Sequence, residues 1–335
     1  MTILFADGFE DTADADYPGT NTSISAGNGR RGGKALSIIS NGSETFGLPA
    51  AATTMFAHVA LNPGVSSGVF ISFYEGTRMH IGVGRGSDGS ITAYRGIPPT
   101  TLLGTSAAGL VPASGYTSFQ IKVVIHDTTG SVEVRLNGSS TPALNLTNVD
   151  TKDAGTTGAI SAIQFGGGSN FLTGSGAYWD DFVVWDTAGS VNNTWLGDLR
   201  VDSYLPTADG DTTTMTTSTG STHYTLVDEV PASGTDYVMS KTVGQKDLFQ
   251  MADMSHSPLT IHAVIPVGHL LKDDAGSRDM ALMVKSGATE SDGPNYSPST
   301  SALKFTRIIE TNPDGSVAWT KSAFDALQVG VKITT

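Results

Sequence analysis

Ala177-Tyr-Trp-Asp-Asp-Phe-Val-Val-Trp-Asp186 is the densest apolar and aromatic run in a chain otherwise dominated by Gly, Ser and Thr. It reads as a strand. Phe182 and Val184 fall on one face and Val183 and Trp185 on the other, so its middle is apolar on both sides, as inside a sheet. The next stretch, Asp186-Thr-Ala-Gly-Ser-Val-Asn-Asn193, is polar and turn-rich. The run therefore reads as the closing strand of a first domain over residues 1–190. A connector and low-complexity loop follow over 191–222, then a second, smaller domain over 223–335.

Composition agrees with this division. A chain of 335 residues with 39% apolar content can fill two cores. Forty Gly, many Ser and Thr, and only 15% charged residues suit short strands joined by tight turns, so the fold class is all-β. Residues 1–190 carry 15 acidic and 9 basic groups, net −6, and the remainder carries 17 and 10, net −7. Neither part has the clustered Lys and Arg that nucleic acid or anionic lipid would require. With no Cys there is neither a disulfide framework nor thiolate chemistry. Met1-Thr-Ile-Leu-Phe-Ala-Asp-Gly8 has no basic n-region or long apolar h-region, and no later run approaches the roughly 18 apolar residues of a membrane span. Cytoplasmic synthesis and no membrane insertion are expected.

In chain order, strands are expected at Ile3–Phe5, from Lys34, and over 55–61, 68–74, 78–84, 90–94, 118–126, 131–136 and 159–165. Residues 11–33 read as loop, and turns are marked by Ser87-Asp-Gly and Asn137-Gly. Phe119, Ile121, Val123 and Ile125 alternate with Gln120, Lys122 and Val124, one face buried and one mostly wet, as in an antiparallel sandwich. Past Trp195-Leu-Gly-Asp-Leu-Arg-Val201, the Asp/Thr/Ser/Gly tract Thr207–Thr222 reads as a long exposed loop. Later strands are expected at 224–227, 237–239, 247–251, 259–267, 280–285 and 303–309, with turns at Asp292-Gly-Pro and Pro313-Asp-Gly. One short helix is expected over 321–328, capped by Thr320 or Ser322 and stopped at Gly330.

Several of these segments carry a resemblance. Leu4-Phe-Ala-Asp-Gly-Phe9, Gly29-Arg-Arg-Gly-Gly-Lys-Ala-Leu36, Tyr178-Trp-Asp-Asp-Phe-Val-Val-Trp-Asp186 and Asn193-Thr-Trp-Leu-Gly-Asp-Leu-Arg-Val201 resemble a family of tailed-bacteriophage and prophage virion proteins. Asn312-Pro-Asp-Gly-Ser-Val-Ala-Trp-Thr320 and Ala326-Leu-Gln-Val-Gly-Val-Lys332 resemble its C-terminal end. The resemblance implies a concanavalin A-like or laminin G-like jelly roll in which first and last strands lie side by side, pairing Ile3–Phe5 with Phe182–Trp185. It also implies a virion component made in the host cytoplasm, a partner of other virion proteins.

Motifs for chemistry are few. Gly84-Arg-Gly-Ser-Asp-Gly89 is followed by a strand, so no helix N-terminus faces a phosphate, and Gly29–Lys34 lacks the first Gly and the hydroxyl of a phosphate loop. The Glu-x-Asp-x-x-Glu run of concanavalin-type glycosidases is absent, and a non-enzymatic protein is expected. If the first and last strands pair, Asp7, Glu10, Asp180 and Asp181 converge and could hold Ca²⁺; otherwise they bond turn amides. Asp209-Gly-Asp and Asp14-Ala-Asp complete no EF-hand loop, and the seven His are scattered. Tyr178 and Trp179 could stack on a sugar or pack in a core. A homo-oligomer, with a trimer favoured, is expected, with Trp195 and Trp319 as contact anchors. The expected role is a virion structural subunit of tail, baseplate or fibre with contacts to host-surface glycan. The alternatives are a capsid-surface decoration protein and a carbohydrate-binding, lectin-like module.

Overall fold

The computed structural model describes residues 2–10, 16–97, 101–167, 170–172 and 177–335. Residues 11–15, which include Asp14 and the start of the expected 11–33 loop, lie outside them. The chain is almost entirely β and divides into two compact units, Thr2–Asp202 and Ser203–Thr335.

The first unit holds β1 (Ile3–Asp7), β2 (Thr20–Ala26), β3 (Lys34–Ala52), β4 (Thr54–Asn62), β5 (Gly68–Glu75), β6 (Arg78–Arg85) and β7 (Ile91–Arg95). It continues with β8 (Thr101–Thr105), β9 (Thr117–Val124), β10 (Gly130–Leu136), β11 (Leu144–Val149), β12 (Ile160–Gly166) and β13 (Tyr178–Trp185). Hydrogen bonding runs β11-β10-β9-β4-β13-β3-β12-β5-β6-β7-β8, with β1 on β13 and β2 on β3. Pairings between these strands are all antiparallel, and β1 meets β13 through Ile3–Trp185, Phe5–Val184, Ala6–Val183 and Asp7–Phe182, the pairing that the resemblance implies.

Five strand spacings separate β9 from β5 in this order, about 24 Å in a flat sheet. Yet Phe119 of β9 and Phe70 of β5 have ring centroids 4.6 Å apart, so the sheet folds over on itself as a jelly-roll sandwich. The turnover runs through β3, whose first part borders β13 and whose second part borders β12. At the far ends, β8 and β11 come into contact. Phe46, Phe165, Trp179 and Phe182 fill the space between, with Phe46–Phe182 centroids at 4.9 Å and Phe165 stacked on Trp179 at 5.8 Å.

The segment expected to be a connector belongs to this unit. Trp185 is fully buried on the outer face of β13, stacked on Phe56 at 5.3 Å, and donates its indole N–H to the Thr194 carbonyl at 2.9 Å. Trp195 meets Phe56 edge-on at 5.2 Å and lies under the Arg135 guanidinium at 4.0 Å. Residues 191–202 thus form a strap that covers this face, which is why the middle of β13 is apolar on both sides. Gly8 sits so close beneath that a Cβ there would lie 2.4 Å from the Val201 carbonyl oxygen.

The second unit contains β14 (Pro206–Thr213), β15 (Thr216–Thr217), β16 (Val238–Met239), β17 (Lys246–Met251) and β18 (Val267–Leu270). Then come β19 (Met280–Ser286), β20 (Thr289–Tyr296), β21 (Leu303–Thr306), α1 (Lys321–Asp325) and β22 (Gln328–Ile333). A five-stranded sheet, β14-β17-β22-β19-β20, is accompanied by two ribbons, β15-β16 and β18-β21. Val264, Val284, Ile309, Trp319, Phe324 and Leu327 form a core.

Several expectations are corrected. β2 occupies part of the expected 11–33 loop, and β14 and β15 occupy part of the 207–222 tract; these strands are polar because none of their residues is buried. Tyr224–Leu226 is a 3₁₀ turn held by Asp209, which accepts the amides of His223 at 3.3 Å and Tyr224 at 2.7 Å. Only the bridges Ile261–Trp319 and Val264–Ile309 mark the strand expected over 259–267 before β18 begins. Asp292-Gly-Pro lies within β20, at a register shift. The helix keeps its Thr320 cap, which accepts the Ala323 amide at 3.2 Å, but Gly330 ends nothing. It lies mid-strand in β22, where a Cβ would sit 1.9 Å from the Asp247 carbonyl oxygen.

Because the strap seals the first unit, limited proteolysis should release an N-terminal fragment ending near Asp202. A recombinant fragment ending at residue 202 should unfold in one cooperative thermal transition. One ending at residue 190 exposes Trp185 and Phe56 and should melt several degrees lower or aggregate. Equal melting of the two fragments would remove the strap from the domain.

Candidate functional site

The alternation of β13 is interrupted once, at Asp180-Asp181. Against β4, Asp180 pairs with Ala60 but Val183 with His58, so β13 carries one extra residue, and Asp181 has φ +50°. The bulge changes which face each side chain takes. Trp179, Phe182 and Val184 all enter the core, which strict alternation would forbid. On its other flank β13 bonds β3 before the bulge and β1 after it.

Both acidic side chains of the bulge are buried. Asp180 accepts the Asp181 amide at 2.7 Å and the Arg30 amide at 2.6 Å. Asp181 accepts Arg31 Nη1 at 2.7 Å, Arg30 Nη1 at 3.3 Å and the Val201 amide at 2.9 Å. Arg30 reaches on to Asp198 of the strap in a two-pronged pair at 2.8 and 2.5 Å. Burial pushes the Asp180 carboxyl up to about 7, with Asp181 adding to the push while the Arg30 and Asp181 amides oppose it. Burial also pushes Asp198 up, but the hydrogen bonds and positive charge of Arg30 oppose it, and that carboxyl is held well below the usual range.

The structure brings Glu10 near this cluster but not Asp7. Glu10 spends both oxygens on the Lys34 amide, at 3.0 and 2.9 Å. Asp7 accepts the Phe9 amide at 2.7 Å and the Tyr17 hydroxyl at 2.5 Å. The expected Ca²⁺ site at Asp7, Glu10, Asp180 and Asp181 is therefore not assembled, because amides, a phenol and guanidinium groups take the oxygens it would need. Among the described residues no three His, Cys, Asp or Glu converge so as to hold a metal.

The aromatic candidates are corrected too. Trp179 is fully buried and donates to the Phe70 carbonyl at 3.1 Å, and Tyr178, its half-buried neighbour in the strand, points to the other face. They make no joint stacking platform. Trp319 is buried in the second core with its N–H on the Ile309 carbonyl at 2.9 Å, and Trp195 is spent on Phe56 and Arg135, so neither is a free contact anchor.

Sequence reasoning missed Arg30, Arg31, His58, Ser118, Gln120 and Asp198. The signal for the first two was the Arg pair in a chain with only 19 basic residues. Ser118, His58 and Asp198 form a Ser-His-Asp trio, with His58 Nε2 2.8 Å from Ser118 Oγ and 3.4 Å from Asp198. A relay places serine and carboxylate on opposite nitrogens. Here both lie on Nε2, Nδ1 meets the Asp181 carbonyl at 2.7 Å, and Ser118 and His58 are inaccessible, so the trio clamps the strap.

A ligand-sized opening exists in the second unit. A cleft of about 600 Å³ lies where the end of β17 meets the end of α1, lined by Thr207, Gln250, Asp253, Asp325, Leu327 and Gln328 among others. Its groups are pre-set. Asp325 is held by Lys321 Nζ at 2.5 Å and the Met254 amide at 3.0 Å, which keep its carboxyl below the usual range. Gln328 accepts the Asp211 amide at 2.9 Å. Gln250 and Asp253 are exposed, and half-buried Met251 with exposed Ala326 adds a small apolar patch.

No family model and no curated protein matches this chain. Solved structures similar to it include a sialidase mutant of Trypanosoma rangeli, at 13% identity and TM-score 0.32 over 49% of this chain and 27% of that one. A protein of unknown function with a galectin-like fold from Bacillus subtilis, at 13% and 0.35, spans 55% of this chain and 96% of that one. An alginate lyase mutant in complex with alginate tetrasaccharide, at 11% and 0.35, spans 55% and 96%. An arabinofuranosidase is also similar, and this chain spans 39% of its length. Likeness at these TM-scores carries no argument about substrate or residues. The expectation of a non-enzymatic protein is withdrawn, because a missing glycosidase motif is no ground for excluding catalysis; the sialidase, the arabinofuranosidase and the alginate lyase among these structures are enzymes.

Two measurements test the buried cluster. The Asp180 carboxyl is raised from 3.8 to about 7 on folding, so the folded state binds that proton more tightly. Its contribution to stability is complete below pH 3.8 and is lost as pH rises through about 7. Denaturant titrations between pH 4 and 8 should show this slope, and Asp180→Asn should flatten it whatever its offset in absolute stability. Arg30→Ala leaves Asp181 without one of its cations and should cost about 3 kcal/mol. Lys241→Ala, which breaks an exposed pair with Asp273, should leave the unfolding midpoint unchanged.

Proposed function

We propose that this protein binds carbohydrate, with the cleft of the second unit as the binding site. The cleft itself is the observation that carries the reading. Sugar hydroxyls donate well to fixed carboxylates and amide carbonyls, and a sugar's C–H face packs on an apolar floor. Asp253, Asp325, Gln250 and Gln328 beside Met251 and Ala326 offer that mixture in a volume within the range of about 300–1,000 Å³ usual for ligand sites. The acceptor-rich rim and the acidic chain disfavour anions, so a neutral or amino-bearing saccharide is the ligand class. A glycan array probed with the full chain should give a restricted set of hits, and Gln250→Ala with Asp253→Ala should abolish them. Hits that survive the double substitution would place the site elsewhere, and an empty array would overturn the reading.

A second reading concerns where such a binder works. The first four segments that resemble tailed-phage virion proteins are far apart in sequence, yet they close on one another. Gly8 abuts Val201, Arg30 joins Asp181 and Asp198, and β1 pairs with β13. A signature that is one interlocked structural cluster supports a shared architecture, and with it a virion subunit that presents the cleft to host-surface glycan. As such it would be a homo-oligomer. Light scattering should give a mass above one chain, and mass spectrometry should find the protein in particles made by cells carrying its gene in its native setting. A strict monomer absent from particles would end this second reading and leave the first standing.

A further inference from the structure

The strap is fastened to the sheet by side chains. Leu196 and Gly197 donate their amides to Gln120 Oε1 at 3.1 and 3.0 Å, Val201 donates to Asp181 Oδ1 at 2.9 Å, and Leu199 donates to His58 Nε2 at 3.2 Å. His58 is fully buried. Its Nδ1 lies 2.7 Å from the Asp181 carbonyl, which can only accept, so Nδ1 carries the hydrogen and Nε2 accepts from Leu199. The charged groups that face it are Asp198 from the strap, 3.4 Å from Nε2, and, through Asp181 of β13, Arg30 and Arg31. β9 contributes the uncharged Ser118 and Gln120.

We propose that His58 is a proton-operated latch for the strap. A proton taken from solvent onto Nε2 removes the acceptor of the Leu199 amide and creates a donor that faces Ser118 Oγ at 2.8 Å and Asp198 at 3.4 Å. Asp198 then has a second cation to choose, and its two-pronged grip on Arg30 loosens as it turns to the imidazolium. A buried N–H left without an acceptor cannot stay where it is without cost, so Leu199 must move. Trp195, three residues earlier on the same strap, moves with it and uncovers Phe56. Acidification supplies that proton, so falling pH is the latch's trigger. Asp180 works in the opposite direction, holding the bulge more firmly at low pH, so a loosened strap cannot be mistaken for its titration.

Hydrogen exchange of the intact chain tests this. After correction for intrinsic rates, peptides covering 191–202 should lose about tenfold protection between pH 8 and pH 5.5, while peptides from β9 and β4 keep theirs. In His58→Gln the side-chain amide can still donate to Asp181 and accept from Leu199 but does not titrate, so strap protection should be independent of pH. Should that variant not fold, Asp198→Asn serves instead: with no carboxylate to draw, the loss should shrink well below tenfold. Strap protection that is constant with pH in the wild type, or that falls equally in His58→Gln, overturns the proposal.

Discussion

One extra residue in β13 holds the first unit together. Without the bulge at Asp180-Asp181, Trp179 and Phe182 could not both enter the core, and no carboxylate would stand at the junction where β3 gives way to β1. A bulge leaves backbone groups without ladder partners, and here side chains take them up. The Asp181 carbonyl goes to His58 and its amide to Asp180. The same carboxylates then reach outward to Arg30, Arg31 and the strap. Buried charge of this kind is worth little as attraction alone, because desolvation offsets it. Its effect is to fix the register, since a one-residue slip would strand these charges as well as invert every apolar side chain.

What the sequence made legible follows from this. β13 could be read because its apolar side chains are buried on two faces, and β9 because one face is all apolar, although its other face is not wet as expected: Ser118 and Gln120 there are buried under the strap. β2, β8, β11 and β14 could not, because they lie at edges with few or no buried residues, and polar, small residues there look like loop. The strap was read as a connector for a related reason. Its attachments run to Gln120, His58 and Asp181, residues about 20 to 140 positions earlier, and no local pattern encodes a partner so distant. The face assignment for Phe182 to Trp185 was right within the bulge-free half, and it gave no warning that Trp179 shares the face of Phe182.

The candidate sites divide in the same way. Carboxylates of the first unit could be predicted to gather, but gathering does not make a ligand site when the arginines and amides that satisfy them are drawn from the same fold. Arg30 and Arg31 lie 150 positions from their partners. The cleft had no sequence signal, because it is made by the ends of β17, α1 and β22, each ordinary alone. Chain-end geometry of this sort arises from packing, and a motif search cannot see it.

The pairing of β1 with β13 has a consequence for how such a unit can be assembled with others. Ile3 and Trp185 are antiparallel neighbours, so the sandwich's first strand begins where its last strand ends. A module with adjoining entry and exit can be spliced into a surface loop of another protein, or permuted at a hairpin such as Asn137-Gly138, without stretching its backbone. The strap limits that freedom. Any graft must carry twelve residues past the natural-looking end at Gly189-Ser190, because the module's outer wall is written into what looks like its tail.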